Sequence, residues 1–192
     1  MHQDDRHLVV SGVLTPSMLV TLRRGEPVLD PAENRLMLLP SELIKISGVN
    51  GLNECRFFQA RKNLCAIYEH RPLECRALKC WDTAEITALF LRDLLSRTEL
   101  MPSGSMVWKL VEKYEAAFPV RLIRDLCLAS SSGSKEAAIE LEELRDHDSS
   151  FRQQASGLLG LPSEDMNFFL GRPVSEVTEL FFLSQPDDLA KK

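Results

Sequence analysis

The sequence predicts a mainly α-helical fold with a small N-terminal β element, an α+β protein in which a loop-rich cysteine segment packs on a helical bundle. Three observations support this class. From Thr83 onward, apolar residues recur at helical spacing. Before residue 47, short apolar runs are separated by Gly, Pro and Asn. Between Cys55 and Cys80, neither a helical nor a strand period is sustained.

The first 25 residues are predicted to form a short strand and a helix. Leu8–Val9–Val10 is an apolar run typical of a strand. Thr15–Pro16 has the pattern of a helix N-cap followed by proline at the first helical position. We therefore expect a helix over about residues 16–24, ended by Gly25.

The next segment is predicted to be a hairpin followed by a helix. Two apolar runs, at 27–29 and 35–39, flank a turn-rich stretch, which is the pattern of two antiparallel strands. Pro40 then indicates the start of a second helix, which Gly48 would end.

Most of the chain after Trp81 is predicted to be helical, with a break at residues 101–104. The predicted helices span about 83–97, 106–117, a segment that begins at Pro119 and carries Cys127, 135–159, 163–169 and 174–183. Cys127 lies among leucine and isoleucine residues, which favours a buried structural cysteine.

Composition and charge exclude several classes of function. The net charge of −5 argues against general nucleic-acid binding. No apolar run approaches 18 residues, so neither a transmembrane helix nor a membrane partner is expected. The first seven residues are polar and acidic, unlike a secretory signal. We therefore expect a cytoplasmic protein, in which disulfides are disfavoured.

Four of the five cysteines form a cluster with the spacing C-x9-C-x9-C-x4-C. They are Cys55, Cys65, Cys75 and Cys80, and four thiolates can complete the coordination of a zinc ion or an iron–sulfur cluster. Residues 55–80 also contain six basic and two acidic residues. Such positive charge would offset an anionic thiolate site, although each basic residue alone is as readily a solvated surface charge.

Residues 65–76, with the sequence CAIYEHRPLECR, closely resemble a signature of the zinc- or iron-chelating proteins named for a CxxxCxxCC motif (YkgJ-like proteins). The run Cys55–Arg56–Phe57–Phe58 stands where that family has a CPFL-like stretch, and residues 39–44 loosely match its TPEDI-like helix start. The resemblance spans about residues 36–82. The N-terminal CxxxCxxCC cluster is missing, because no cysteine precedes Cys55.

This resemblance implies metal binding and extends to the cysteine region of flagellin lysine N-methylases. No glycine-rich loop of the dinucleotide-binding type is present to indicate a methyl-donor pocket. Methylase activity therefore does not follow from the cysteines alone.

Three residues beside the cysteines are expected to support the site from outside the ligand shell. Arg71 and Arg76 would pair with nearby glutamates or with the anionic site itself. Tyr68 would offer its hydroxyl group as a donor, or would be an ordinary half-buried tyrosine. His70 is a less favoured ligand, because four cysteines already complete the shell.

The spacing favours iron–sulfur over zinc. Structural zinc sites usually use two short C-x2–4-C pairs, and this chain has a single C-x4-C. A four-iron, four-sulfur (4Fe–4S) cluster is larger than one ion and tolerates wider spacing. Zinc remains the alternative cofactor.

We divide the chain into a metal-binding domain over 1–130, with its cysteine cluster at 55–80, and a helical region over 135–192 packed on the same domain. The serine-rich run at 130–134 separates them. The first hypothesis for function is a small iron–sulfur protein in a redox or accessory role, with a protein redox or enzyme partner. The alternatives are a structural zinc site in a helical protein-interaction module, and a cluster-dependent modifying enzyme related to lysine N-methylases.

Overall fold

The computed structural model describes residues 1–30, 33, 35–49, 54–79 and 81–184. Within this part, helices predominate over three small antiparallel strand pairs, which confirms the predicted α+β class. The strands are β1 (Leu19–Leu22), β2 (Pro27–Asp30), β3 (Arg35–Leu38), β4 (Leu43–Ile46), β5 (Phe58–Gln59) and β6 (Leu64–Cys65).

The helices carry the C-terminal half of the chain and a few short segments before it. They are α1 (Arg6–Val10), α2 (Leu73–Ala77), α3 (Ala84–Leu89), α4 (Arg97–Leu100), α5 (Met106–Ala117), α6 (Val120–Ser131), α7 (Lys135–Leu159), α8 (Met166–Phe169) and α9 (Val174–Leu183). Single 3-10 turns lie at Gln3–Asp5, Pro16–Met18, Tyr68–His70 and Ser163–Asp165. None of the helices in the described residues combines the length and apolar character needed to cross a membrane.

The N-terminal strands form two separate pairs. β2 and β3 are the two strands of the predicted hairpin, with Pro27 opposite Leu38, so that prediction is confirmed. β1 pairs with β4, and Leu19 lies opposite Ile46. The second pair joins two segments that the sequence analysis assigned to helices.

Three N-terminal predictions are wrong. Leu8–Val10 belongs to helix α1 and not to a strand, because a run of three apolar residues is too short to define a period. After Pro16–Met18 the chain enters β1, so the helix at 16–24 is limited to one turn. The helix expected after Pro40 is strand β4, since pairing with β1 buries Ile44 and overrides the local start signal.

The helical predictions after residue 105 are confirmed, with α5, α6, α7 and α9 at the expected positions. Cys127 is buried on α6, also as predicted. The helix expected over 83–97 is shorter. It ends at Leu89, because Leu91 and Asp93 adopt left-handed backbone angles, with φ of 57° and 44°.

One buried apolar cluster runs from the N-terminal strands into the helices. Tyr114 of α5 and Phe118, the residue after this helix, are fully buried within it, and their rings lie 4.8 Å apart. The β1 strand is covered by α8, and the Thr21 hydroxyl donates to the Phe168 carbonyl oxygen at 2.7 Å. The N-terminal strands therefore pack on the C-terminal helices.

A buried polar network crosses the helical half at Asp148, which is 2% exposed. One carboxylate oxygen of Asp148 accepts from the Tyr114 hydroxyl at 2.6 Å and from Arg152 Nε at 2.8 Å. The other accepts from the backbone N–H of Val174 at 2.8 Å. Burial raises the pKa of Tyr114 far above its usual value, so its hydroxyl stays a donor. The network thus joins α5, α7 and α9.

Candidate metal centre

The first two cysteines are placed by a small hairpin. Strands β5 and β6 pair so that Phe58 lies opposite Cys65. The turn between them includes Asn63 with a φ of 50°, a left-handed angle that asparagine adopts more readily than most residues. Cys55 precedes the hairpin and forms an isolated bridge with Gly48. Cys55 is exposed, and Cys65 is of intermediate exposure.

Cys75 lies on the short helix α2, and the buried carboxylate of Asp5 fixes the start of that helix. The backbone N–H of Leu73, the first residue of α2, donates to Asp5 Oδ1 at 2.8 Å. The backbone N–H of His2 donates to Asp5 Oδ2 at 3.0 Å. Because Asp5 is 0% exposed and both of its oxygens are bonded, it ties the N-terminal segment to the helix that carries Cys75.

His2 makes a second tie to the same helix. Its side chain is buried, with Nε2 3.1 Å from Glu74 Oε1 and Nδ1 2.7 Å from the Arg92 carbonyl oxygen. Glu74 is the residue before Cys75. Neither Asp5 nor His2 is recognisable from the sequence as part of this site, because no local spacing pattern links them to residues about 70 positions later in the chain.

Arg56 anchors the other side of the segment, next to Cys55. Its Nη1 donates to the Ser17 carbonyl oxygen at 2.8 Å and also to the Ser47 hydroxyl. Arg56 is one of the basic residues whose charge is expected to offset a thiolate site. In the structure its bonds hold residue 56 against the turn before β1 and the end of β4.

The Cys75 thiol is influenced by two of the other predicted ligands. Burial raises the pKa of the Cys75 thiol, and negative charge on Cys55, Glu74 and Cys65 raises it further. Cys55 and Cys75 also line the same cavity, of about 250 Å³. The fold therefore brings Cys55 and Cys75 to one cavity, and Cys65 lies on the hairpin that follows Cys55.

The fourth predicted ligand, Cys80, lies outside the described residues. Among the residues that are described, no group of three or more His, Cys, Asp or Glu side chains has an arrangement that could hold a metal ion. The thiols of Cys55 and Cys75, which line one cavity, are nevertheless soft donors of the kind that suits zinc or an iron–sulfur cluster. The donor chemistry therefore fits such a centre, without a closed coordination shell in the described part of the chain.

The predicted supporting residues are placed as follows. The Arg71 guanidinium lies 3.7 Å from the centre of the Tyr68 ring, and its Nε donates to the Tyr68 carbonyl oxygen at 2.8 Å. Tyr68 is 56% exposed, and Arg76 is exposed as well. Within the described residues, Arg71 therefore contacts Tyr68, and the nearby glutamate Glu74 is paired with His2.

Comparison with known families gives a match over this segment. Residues 30–91, about a third of the chain, match the family model CxxCxxCC, described as "Putative zinc- or iron-chelating domain". The matched range contains Cys55, Cys65, Cys75 and Cys80. Comparisons with curated proteins and with solved structures found no match. The segment is therefore similar to a metal-chelating domain, which supports metal binding here.

Proposed function

We propose that Cys55, Cys65, Cys75 and Cys80 hold one iron–sulfur cluster of the 4Fe–4S type and that the protein has a redox or accessory role. The observation that supports this most directly is that Cys55 and Cys75, from two separate local structures, line one cavity. Such a cluster, when bound, supplies one-electron chemistry or a redox-sensitive structural element.

The protein's own part in this proposal is to hold and orient the thiols. Asp5 and His2 fix the helix of Cys75, and Arg56 fixes the backbone next to Cys55. The raised pKa of Cys75 means that its thiol gives up a proton when a metal binds. A reducing compartment such as the cytoplasm would keep these thiols free.

The exposed apolar residues near the cysteines support a protein partner. Five large apolar side chains between residues 58 and 81 are 48–85% exposed, namely Phe58, Leu64, Tyr68, Leu78 and Trp81. Exposed apolar surface of this kind is typical of interaction sites. We therefore propose that a redox or enzyme partner binds on the cysteine segment, and we propose no nucleic-acid or membrane partner.

A structural zinc site is the second candidate. The buried residues among the described positions 54–79 are Phe57, Pro72 and Ala77, which is little apolar packing for a segment of this length. A structural ion would supply stability that packing does not. The cavity of about 250 Å³ beside Cys55 is smaller than the ~300–1,000 Å³ usual for small-molecule sites, so we do not extend the proposal to a modifying enzyme.

The test is anaerobic purification followed by iron, zinc and acid-labile sulfide analysis with an absorption spectrum. Iron and sulfide in the amounts of one 4Fe–4S cluster, with a broad visible band that bleaches on reduction, would support the redox proposal. One zinc ion and no colour would support the structural alternative. Neither metal after anaerobic purification and reconstitution would contradict both.

The ligand assignment is tested by paired serine variants. We expect Cys75→Ser to lose metal and to lower the unfolding temperature, since an incomplete thiolate shell binds weakly. Cys127→Ser is the matched control, because Cys127 is buried on α6 and is not a proposed ligand. It should keep the wild-type metal content. Full metal content in Cys75→Ser would remove Cys75 from the ligand set.

A further inference from the structure

A second cavity, of about 470 Å³, lies where the β1–β2 turn and the segment before β4 meet α4, α5 and α6. Its charged lining residues are Arg23, Arg24, Arg97, Arg121, Glu42 and Glu115. Four arginines thus face two glutamates, in a protein whose net charge is −5. Cys55, Cys65 and Cys75 are not among the residues that line it.

Both glutamates are already bound to Arg97, and Glu115 Oε2 also lies 3.6 Å from Arg23 Nη1. Arg97 is 4% exposed, and its Nε and Nη2 lie 2.9 and 2.8 Å from Glu42 Oε2. Its Nη2 also donates to Glu115 Oε1 at 2.7 Å, and its Nη1 donates to the Phe169 carbonyl oxygen at 2.7 Å. The carboxylates of the lining are therefore already paired with arginine side chains of the same cavity.

Arg23 is buried and has unused donor capacity. It is 1% exposed, its Nη1 donates to the Phe118 carbonyl oxygen at 2.8 Å, and its Nε lies 3.4 Å from Glu26 Oε1. Its Nη2 is buried and has no hydrogen-bond partner in the described part of the chain. Buried donors are nearly always paired. Because Arg23 lines the cavity, a hydrogen-bond acceptor bound there would be favoured beside this unpaired donor.

The remaining positive groups have few partners. The 12-residue helix α6 begins at this cavity, with Pro119 and Val120 in the lining, and no side chain among the described residues caps it. Its first N–H groups therefore add positive potential. Arg24 is exposed and makes no ion pair within the described residues. Arg121 is 85% exposed, with a distant contact of 3.7 Å to Asp125.

We propose that this cavity binds a phosphate group, either free phosphate or the phosphate of a small phosphorylated molecule. A phosphate dianion has enough oxygens to accept from Arg24, Arg121 and the N-terminus of α6 together. Its negative charge also suits Arg24 and Arg121, the two arginines that no glutamate in the lining binds. The inference does not depend on the metal centre, because the two sites share no lining residue among those described.

The experiment is calorimetric titration of the full chain with inorganic phosphate at constant ionic strength in chloride. We expect saturable binding at one site. Arg24→Gln and Arg121→Gln should each weaken it about tenfold, since each removes one charge-assisted contact. Arg61→Gln is the matched control, because Arg61 is exposed and belongs to the cysteine segment. It should leave the affinity unchanged.

Two results would overturn the proposal. One is the absence of saturable binding, and the other is an equal loss of affinity in Arg61→Gln, which would show general attraction to surface charge. Titration with phenyl phosphate distinguishes the two proposed ligands, free phosphate and the phosphate of a small phosphorylated molecule. Tighter binding than inorganic phosphate would assign the site to a phosphorylated molecule, and equal binding would assign it to free phosphate. Cys75→Ser should bind phosphate as the wild type does, whatever its metal content.

Discussion

The cysteine segment and the helical half of this chain are stabilised in different ways. The described part of the segment, residues 54–79, has two-residue strands, a five-residue helix and three buried residues. The helical half has helices of 12, 12 and 25 residues around a continuous apolar core. The segment is therefore held by a few polar contacts to other parts of the chain. The helical half is held by packing and by buried polar bonds, of which the network at Asp148 joins three helices.

The largest loss of stability is expected when Asp148, the centre of the buried polar network, is replaced. Asp148→Ala would leave the buried Tyr114 hydroxyl, Arg152 and the Val174 N–H without their acceptor, so we expect a loss of about 3–5 kcal/mol in the free energy of unfolding. Denaturant unfolding measures it. Asp146→Ala, on the exposed side of the same helix, is the control and should change stability little. Equal losses in both variants would contradict the role of the network.

A smaller and more local effect is expected at Asp5. Asp5→Ala removes the acceptor of two backbone N–H groups, and we expect a loss of about 1–3 kcal/mol. Because one of those bonds fixes α2, alkylation of Cys75 in the metal-free protein should also become faster, which peptide mass spectrometry can follow. Asp4→Ala is the control, since Asp4 is exposed. Unchanged Cys75 alkylation in a destabilised Asp5→Ala variant would show that Asp5 does not position this helix.

The smallest effect concerns the alkylation rate of Cys127, the cysteine of the helical half. Burial raises the pKa of Cys127 to about 11, against the nearby positive charge of Arg145. Its alkylation at pH 8 should be far slower than that of the exposed Cys55, and should rise about tenfold per pH unit up to its pKa. Native-state alkylation of both cysteines at equal rates would show that the helical half opens as readily as the segment.

The same shift has a consequence for stability. An unfolded cysteine has a pKa near 9, so between pH 9 and about 11 the unfolded chain loses the Cys127 proton before the folded chain does. The free energy of unfolding should therefore fall as the pH rises through this range. Cys127→Ala should show a smaller fall, measured by denaturant unfolding at pH 8 and pH 10.5. A fall as large as that of the wild type would contradict the shift.

The sequence was a good guide to the helical half because its signals there are local. Ser105 caps α5 by accepting from the Trp108 N–H, and Gly160 ends α7 in a left-handed conformation. Another local signal, proline at the first position of a helix, gave wrong predictions at Pro16 and Pro40. A proline at a chain turn also fits entry into a strand, and the pairing of β1 with β4 is not visible in either segment alone.

The cysteine cluster of the candidate site is visible in the sequence, whereas the residues that hold the segment in place are not. The shared cavity of Cys55 and Cys75 follows from a cysteine cluster in a short loop-rich segment. Asp5 and His2 reach that segment from 68 and 72 positions away in the chain. A contact over that distance depends on the completed fold, because neither residue has a spacing relation to the cysteines.

The cover of β1 by α8 sets an order of events during synthesis. The bond from Thr21 to Phe168 joins residues 147 positions apart, and Arg172 binds Glu26 across 146 positions. At roughly 5–20 residues per second, a ribosome needs on the order of 7–30 s to make the chain between them. During that interval strand β1 lacks the helix that packs on it, so apolar side chains that the finished fold buries are open to other chains. The stage most exposed to aggregation is therefore the nascent chain before α8 is made, and a chaperone that shields the N-terminal strands would act there.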